Sequence, residues 1–443
     1  MPKTIAMFNL SETSRDPRVR RIAGTLARQG HRVVVFGVKS EVKKECERLD
    51  DFEIVRVRVP RSLTNRAMRR LARTSPAAAD LIQACNPQVM ESSNDLREFV
   101  FRVMRFAYRQ LPWKPRFTKD LSKRQFLAPL TDIPTIRGIA LCSLSLFRRA
   151  EKIRPDIVHC NDLDSLLAGY MLKQKYNLPL VFDAHEIYPE QFATDMRSEL
   201  WYQYYTRLEK SLLPFTDGRL TVCDSIGAYF QETHDCGPFL TVHNAPSIKA
   251  LSPPGVLDRR NEPRRILYHG VYLQHRGLDQ VIAAAKSVDN AQFVFRGFGP
   301  HEAALRRLAA ENGVEEKVVF APPVPVEDLV SAASRCDIGL NPFISVCRNT
   351  MYALPNKFFE YMMAGLAVAS ADLVEMRNLT RRFDLGILFD PSQPERIAEA
   401  LNDLLADPDR LDACRRNAYE TAKNEFNWEM GEAGLLDYYR QFL

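Results

Sequence analysis

Leu354-Pro-Asn-Lys-Phe-Phe-Glu-Tyr-Met-Met-Ala-Gly-Leu-Ala-Val-Ala-Ser370 sets a lysine, Lys357, and a glutamate, Glu360, at the entry of a helix that stops at Gly365, ahead of a short apolar strand. Pro355 and Asn356 suit a helix start. The first amides of such a helix lack internal acceptors and carry the positive end of its dipole. A phosphate fits there, with Lys357 beside it and Glu360 one turn in to accept hydroxyl hydrogen bonds. Helix, glycine and strand follow one another in any α/β protein, so the chemistry depends on what the rest of the chain brings to the same turn.

On both sides of this stretch, apolar runs bounded by turn residues alternate with helical periodicity, the βαβ pattern of doubly wound parallel sheets. The first half offers strands over 4–8, 32–36, 53–57, 156–160, 180–182, 218–222 and 239–242. Between the first two lies a helix over 17–29, opened by Pro17 and closed at Gly30. Periodicity lapses and proline gathers over 247–263, the mark of a linker. Strands then resume over 265–268, 292–295, 317–320, 338–340, 366–369 and 387–389. Residues 61–150 interrupt the rhythm without a strand signal and read as a helical insertion. The expected domains are 1–250, carrying that insertion at about 61–150, and 251–426, followed by a last helix at about 427–443.

A chain of 443 residues is long enough for two such domains. Its nine cysteines are scattered without a Cys-x-x-Cys pair or zinc-like spacing, which fits a reducing cytoplasm. No signal peptide opens the sequence, and the longest apolar run, 138–147, is half of the ~20 residues a membrane span requires. The net charge of +6 is uneven: residues 61–124 hold 14 Lys/Arg against 5 Asp/Glu. Phe99, Phe101, Phe106, Tyr108, Trp113 and Phe117 are interleaved with those cations. Such a mixture suits an anionic membrane face, here the inner face of the plasma membrane, and it equally describes the solvated side of a helix. Nothing in it calls for nucleic acid.

Several motifs, in order, resemble family 4 of the retaining GT-B glycosyltransferases. The opening stretch is similar to that family's donor signature in an "LPNKxFEYxxAG" form, which implies that Glu360 holds the ribose of a nucleotide sugar. Eight positions before Glu360 the family often has a second glutamate; Tyr352 stands there instead, leaving Asn349, with Arg348 and Thr350, for sugar hydroxyls. Ile266-Leu-Tyr-His-Gly-Val-Tyr-Leu-Gln-His-Arg-Gly277 is similar to the glycine turn that brings two cations onto the diphosphate. It implies roles for Gly270 and Arg276, while Val271 replaces the usual arginine. Phe293-Val-Phe-Arg-Gly-Phe-Gly299 matches the strand end beneath the nucleotide through Gly297 and Gly299.

In the first half, Asp16–Gly37 resembles the family's opening strand, loop, helix and strand, implying that Ser14, Arg15 and Asp16 meet the acceptor. Leu180-Val-Phe-Asp-Ala-His-Glu186 is similar to "vyDaHE", implying that His185 reaches the transferred sugar and that Asp183 and Glu186 bind acceptor hydroxyls or orient loops. Imidazole suits that position because it gives or accepts a hydrogen bond near neutral pH. Asp162-Leu-Asp164 also spells a metal-binding dyad, but an N-cap for the helix behind it is the simpler reading.

The resemblance implies two Rossmann-like domains facing a central cleft, with the last helix crossing back to the first. It implies a retaining hexosyltransferase that moves a sugar from a nucleotide diphosphate sugar to a glycan or lipid-linked acceptor in polysaccharide biosynthesis. His185, Arg276 and Lys357 would be catalytic, with no cofactor and no metal. A nucleotide-sugar epimerase of the same fold and a non-catalytic nucleotide-sugar-binding subunit share most of these features.

Overall fold

Strands that are apolar on both faces need helices on both sides, and the chain supplies them twice over. A computed structural model describes residues 1–10, 13, 16–38, 45–49, 51–57, 134–191, 199–252 and 262–443. Two compact units result: Met1–Leu220 with Phe230–Leu240 and Tyr439–Leu443, and Thr221–Tyr229 with Thr241–Tyr438.

The first half contains β1 (Thr4–Phe8), α1 (Pro17–Arg28), β2 (Arg32–Val38), β3 (Cys46–Leu49), β4 (Phe52–Val57), α2 (Pro134–Ala150) and β5 (Ile157–Asn161). There follow α3 (Leu163–Tyr176), β6 (Leu180–Ala184), α4 (Glu199–Leu212), β7 (Gly218–Thr221), α5 (Asp224–Thr233) and β8 (Leu240–Thr241). The strand order is β3-β4-β2-β1-β5-β6-β7-β8. Central β1 pairs in parallel with β2 on one side and β5 on the other, so the winding reverses at its carboxyl end, where open α/β sheets bind ligands. Ile5, Ala6, Met7 and Phe8 are all buried, as a strand covered on both faces must be. The antiparallel β3 escapes sequence detection because Cys46-Glu-Arg-Leu49 has an exposed polar half and no apolar run.

The second half contains β9 (Arg264–Val271), α6 (Leu278–Ala285), β10 (Ala291–Phe298), α7 (Glu302–Glu311), β11 (Val318–Ala321), α8 (Leu329–Ala333) and β12 (Ile338–Asn341). It continues with α9 (Arg348–Met351), α10 (Asn356–Met363), β13 (Ala367–Ala371), α11 (Val374–Phe383), β14 (Gly386–Phe389), α12 (Pro394–Leu405), α13 (Pro408–Asn424) and α14 (Trp428–Tyr439). The parallel sheet runs β11-β10-β9-β12-β13-β14 over a core that includes Tyr268, Phe293, Phe295, Leu340, Ile282 and Leu401. Strands β9 and β10 outrun their apolar pattern by pairing through Gly270 and Gly297, then Val271 and Phe298. Gly270 has φ +137, which a side chain would resist, so only glycine lets the ladder continue to this point.

The expected boundary at 250 and the expected returning helix are both adjusted. Residues 221–229 and 241–250 belong to the second unit, as does α14 up to Tyr438. The Trp428 amide donates to the Pro246 carbonyl, and Glu429 accepts from Ser247 and the Ile248 amide, which fastens the start of α14 within that unit. Only Tyr439–Leu443 joins the first unit, where the Tyr439 hydroxyl meets His159 and Phe442 fills the space above Gly218. The basic stretch 61–124 lies outside the described residues.

Candidate active site

In the second unit, the carboxyl ends of β9 and β12 and the start of α10 bring together three of the groups expected to bind the donor, Arg276, Lys357 and Glu360. Phe358, Phe359, Tyr361, Met362 and Met363 bury one face of α10, and this packing fixes its first turn beneath the β9 end. Lys357 rises from that turn with Nζ 4.1 Å from the Tyr268 ring centre and 5.2 Å from that of Phe343. The Arg276 guanidinium lies 4.6 Å from the same Phe343 ring. A Cβ at Gly270 would sit 3.2 Å from Lys357 Nζ, so glycine leaves the space this ammonium occupies. Gly277 (φ +73) packs directly against the Pro342 carbonyl, fixing the chain just after Arg276.

Among the described residues, Arg276 and Lys357, two cations against the same ring, form no ion pair, and the lysine responds. Burial, then the neighbouring Arg276 charge, depress the Lys357 ammonium to about 7, with Glu360 opposing in part. A diphosphate placed here would supply the missing charge. The α10 N-cap, Pro355, provides no side-chain cap, so the helix start keeps amide capacity for an anion. Gly297 and Gly299 fall at the neighbouring β10 end, Gly299 packed on the Tyr272 backbone. Asn349 lies in α9, beside an exposed Arg348 whose guanidinium stands 5.7 Å from the Tyr229 ring.

Glu360 has a partner that the sequence motif did not single out. His269, buried at the end of β9, places Nε2 2.7 Å from Glu360 Oε2. Its amide donates to the Tyr361 hydroxyl at 3.1 Å, and the two rings pack tilted by 34° with centres 4.8 Å apart. An imidazole followed directly by a strained glycine, at the end of an apolar strand, was the signal available.

The first unit holds a separate charged cluster. Arg18 faces the core from the first turn of α1 and donates through Nε and Nη2 to both oxygens of fully buried Asp183, at 2.8 and 2.7 Å. His185 Nε2 lies 3.3 Å from Asp183 Oδ2, and its Nδ1 lies 3.2 Å from Asp162 Oδ2. Burial opposes charging of His185, but Asp162 and Asp183 together hold the imidazole well above its ordinary value. Burial likewise opposes ionisation of Asp183, and Arg18 followed by His185 overcomes it, keeping the carboxyl well below the usual range. Asp164 takes the opposite course. Burial and the Asp162 charge push it up to about 8, and the Tyr188 hydroxyl donates to it at 3.0 Å.

Several expectations change accordingly. His185 faces a carboxylate through each ring nitrogen, an arrangement that favours the protonated ring; the expected dual donor and acceptor would need a neutral ring. Asp183 is enclosed between Arg18 and His185, an internal anchor and not a group presented to an acceptor. Asp16 is the N-cap of α1, accepting the Arg18 and Val19 amides, which gives its carboxylate a local structural task. Asp162 sits at the N-cap position of α3 without capping it; at φ 61 its side chain turns to the His185 amide and ring. Glu186 accepts from Gln191. Ser14 and Arg15 lie outside the described residues. Among those described, no group of three or more His, Cys, Asp or Glu is arranged to hold a metal, and no helix is long and apolar enough to cross a membrane.

Residues 254–421 match the family model described as "Glycosyl transferases group 1", and residues 113–246 match "Glycosyltransferase Family 4". A GDP-mannose-dependent alpha-(1-6)-phosphatidylinositol monomannoside mannosyltransferase of Mycobacterium tuberculosis is 28% identical over 174 residues, covering 37% of this chain and 44% of that protein. The match therefore spans less than half of that curated relative. Sucrose-phosphate synthase from Thermosynechococcus elongatus superposes with a TM-score of 0.71 at 18% identity, over 99% of this chain and 98% of the other. Anabaena HepE, solved with UDP-glucose, gives 0.64 at 13% identity over 99% and 100%. These neighbours establish the GT-B fold.

Proposed function

We propose that this chain, placed among the family 4 GT-B glycosyltransferases by its two matched domains, moves a sugar from a nucleotide diphosphate sugar to a hydroxyl acceptor with retention of anomeric configuration. The observation that carries the reading is the convergence of Arg276 and Lys357 on the Phe343 ring at the entry of α10, with Glu360 one turn behind. As the bond between sugar and diphosphate breaks, negative charge grows on the leaving phosphate, and fixed cations lower the barrier by meeting it there. Full protonation of Lys357 would accompany that charge. The acceptor hydroxyl attacks the anomeric carbon on the face the diphosphate leaves; a donor phosphate oxygen takes its proton, and the nucleoside diphosphate departs. No metal is needed to offset the charge in this scheme. Retention is supported by the motif resemblance, and His185, with a carboxylate at each ring nitrogen, does not suit a proton-abstracting role; a sugar hydroxyl would reach it in exchange for one of those contacts.

A lipid-linked or polysaccharide acceptor is favoured by two observations. The Mycobacterium relative is named for a phosphatidylinositol-based acceptor, and 61–124 carries the basic and aromatic mixture of a segment that settles on anionic lipid. The protein would then work as a peripheral enzyme on the cytoplasmic face. Incubation with UDP-, GDP- and ADP-sugars and an envelope lipid extract, read by mass spectrometry, should give one glycosylated product, with turnover insensitive to EDTA. Conversion of the nucleotide sugar to its epimer without an acceptor would favour the epimerase reading, and absence of turnover with intact nucleotide binding the non-catalytic one.

A further inference from the structure

We propose that His269 is a positioning residue for Glu360, holding that carboxylate in the one orientation that grips the ribose diol of the donor nucleotide; this rests on the reading of the same site given above. Glu360 leaves α10 on a side chain with several rotatable bonds, and its carboxylate is 13% exposed. Left alone it would sample many orientations, and binding a diol through it would carry the entropic cost of fixing them. His269 removes that freedom from behind. Its ring is 3% exposed and stands 2.7 Å from Glu360 Oε2. The ring is held by tilted packing on Tyr361, and its backbone by pairing in β9 and by the bond from its own amide to the Tyr361 hydroxyl.

Tyr361 is fixed in turn by packing under Gly339 and by the contact of its hydroxyl with the Leu340 carbonyl at 3.3 Å. Successive residues of α10, Glu360 and Tyr361, are thus tied to the same residue of β9. Both ring nitrogens of His269 are buried without an aligned hydrogen bond, so the 2.7 Å approach of Nε2 to Glu360 Oε2 is a close polar contact that a small ring rotation would turn into a donated bond. That contact with Glu360 gives a polar reason for an imidazole at this position, where an apolar residue would otherwise fill the strand end.

The test compares a nucleoside diphosphate with its 2′,3′-dideoxy counterpart, using whichever of UDP, GDP and ADP the wild-type protein binds most tightly by calorimetry. The wild type should favour the ribo form by roughly tenfold or more, as expected when a charged acceptor loses its hydroxyl partners. In H269F, which keeps a packed ring but has no N–H, the preference should fall to about threefold or less, because the carboxylate loses its preset orientation. H269Q, whose amide can donate from a similar position, should recover most of it. A merely structural histidine would weaken both probes equally and leave their ratio unchanged, which overturns the proposal.

Histidine-selective 15N NMR reads the same contact without the bulky variant. The His269 Nε2 signal, assigned through H269Q, should move in E360Q and on adding the ribo probe, and less with the dideoxy probe. Equal movement with both overturns the proposal even if H269F fails to fold. Wild-type binding without ribose preference refutes the role of Glu360 and His269 while leaving a nucleotide site; no binding of any diphosphate refutes the nucleotide-sugar reading itself.

Discussion

Replacing Lys357 by methionine should make the protein more stable and its nucleotide binding weaker, with both effects depending on pH in a way set by one buried ammonium. The free-state value is about 7 against an ordinary 10.5, depressed first by burial and then by Arg276. A folded value below the unfolded one means the unfolded chain binds the extra proton between pH about 7 and about 10.5, so stability rises with pH across that window. At pH 7 the full shift corresponds to about 4 kcal/mol; with some solvent reaching the half-buried side chain, a cost of about 2–4 kcal/mol is expected. Methionine fills the space between Tyr268 and Phe343 without that cost. Lys357→Met should therefore raise the melting temperature of the second unit by several degrees at pH 7, the gain shrinking toward pH 10.

Binding should move the other way. A charge-assisted phosphate contact contributes about 1.5–3 kcal/mol, so K357M should lose roughly ten- to a hundredfold in nucleoside diphosphate affinity at pH 6.5. In the wild type, affinity should fall by up to tenfold per pH unit above about 7, because the ammonium must first regain its proton. Calorimetry across pH 6–9 in two buffers of different ionisation enthalpy reads both the affinity and the proton taken up. If wild type and K357M show the same pH slope and the same proton uptake, Lys357 does not meet the diphosphate and the donor-site assignment fails.

Arg18→Met should cost about 3–5 kcal/mol by leaving Asp183 buried without its guanidinium, read as a lowered denaturant midpoint for the first unit. Because Asp183 is held below the usual carboxylate range, that stability is present above pH about 4 and lost as pH falls through the depressed folded value; wild type should show this acid-side loss and the double variant R18M/D183N should not. His185→Asn should lower turnover at least tenfold with nucleoside diphosphate affinity nearly unchanged; equal turnover would reduce His185 to a structural partner of Asp162 and Asp183. Since its folded value is raised, the stability His185 adds is complete below pH about 6.5 and disappears as pH rises through the folded value, so Asp162→Asn should flatten that alkaline-side decline in thermal melts. Gly277→Ala should destabilise the second unit by about 1–3 kcal/mol and weaken diphosphate binding, because the new Cβ would overlap the Pro342 carbonyl at a positive φ and displace Arg276.

Local rules, acting on neighbouring residues, determined much of this protein. Runs of three or four buried residues bounded by turn signals, such as Ile5–Phe8 and Ile338–Leu340, read as strands covered on both faces, and Pro17 with Gly30 bounds α1; their alternation with helical periodicity gives the two-sheet α/β architecture. The pairing of Lys357 with Glu360 at a helix start is equally local, since three residues set it. β3 was not legible, because an edge strand half open to solvent needs no apolar run, and its antiparallel place beside β4 is a matter of pairing.

Tertiary structure alone decided the charges. His269 and Glu360 stand 91 positions apart in sequence and 2.7 Å apart in space. Arg18 reaches Asp183 across 165 positions, and this contact turns a motif aspartate from a surface acceptor into an enclosed anchor. Asp162, close in sequence to the helix it would cap, instead holds His185 through a backbone twist at φ 61. Spacing within a motif specifies which groups reach a strand end; burial and the partners brought from distant strands specify their protonation, because the cost of a buried charge depends on everything packed around it. The aromatic walls around Lys357, drawn from β9 and the loop after β12, thus set its ammonium near neutrality, a property that its own helix could not encode.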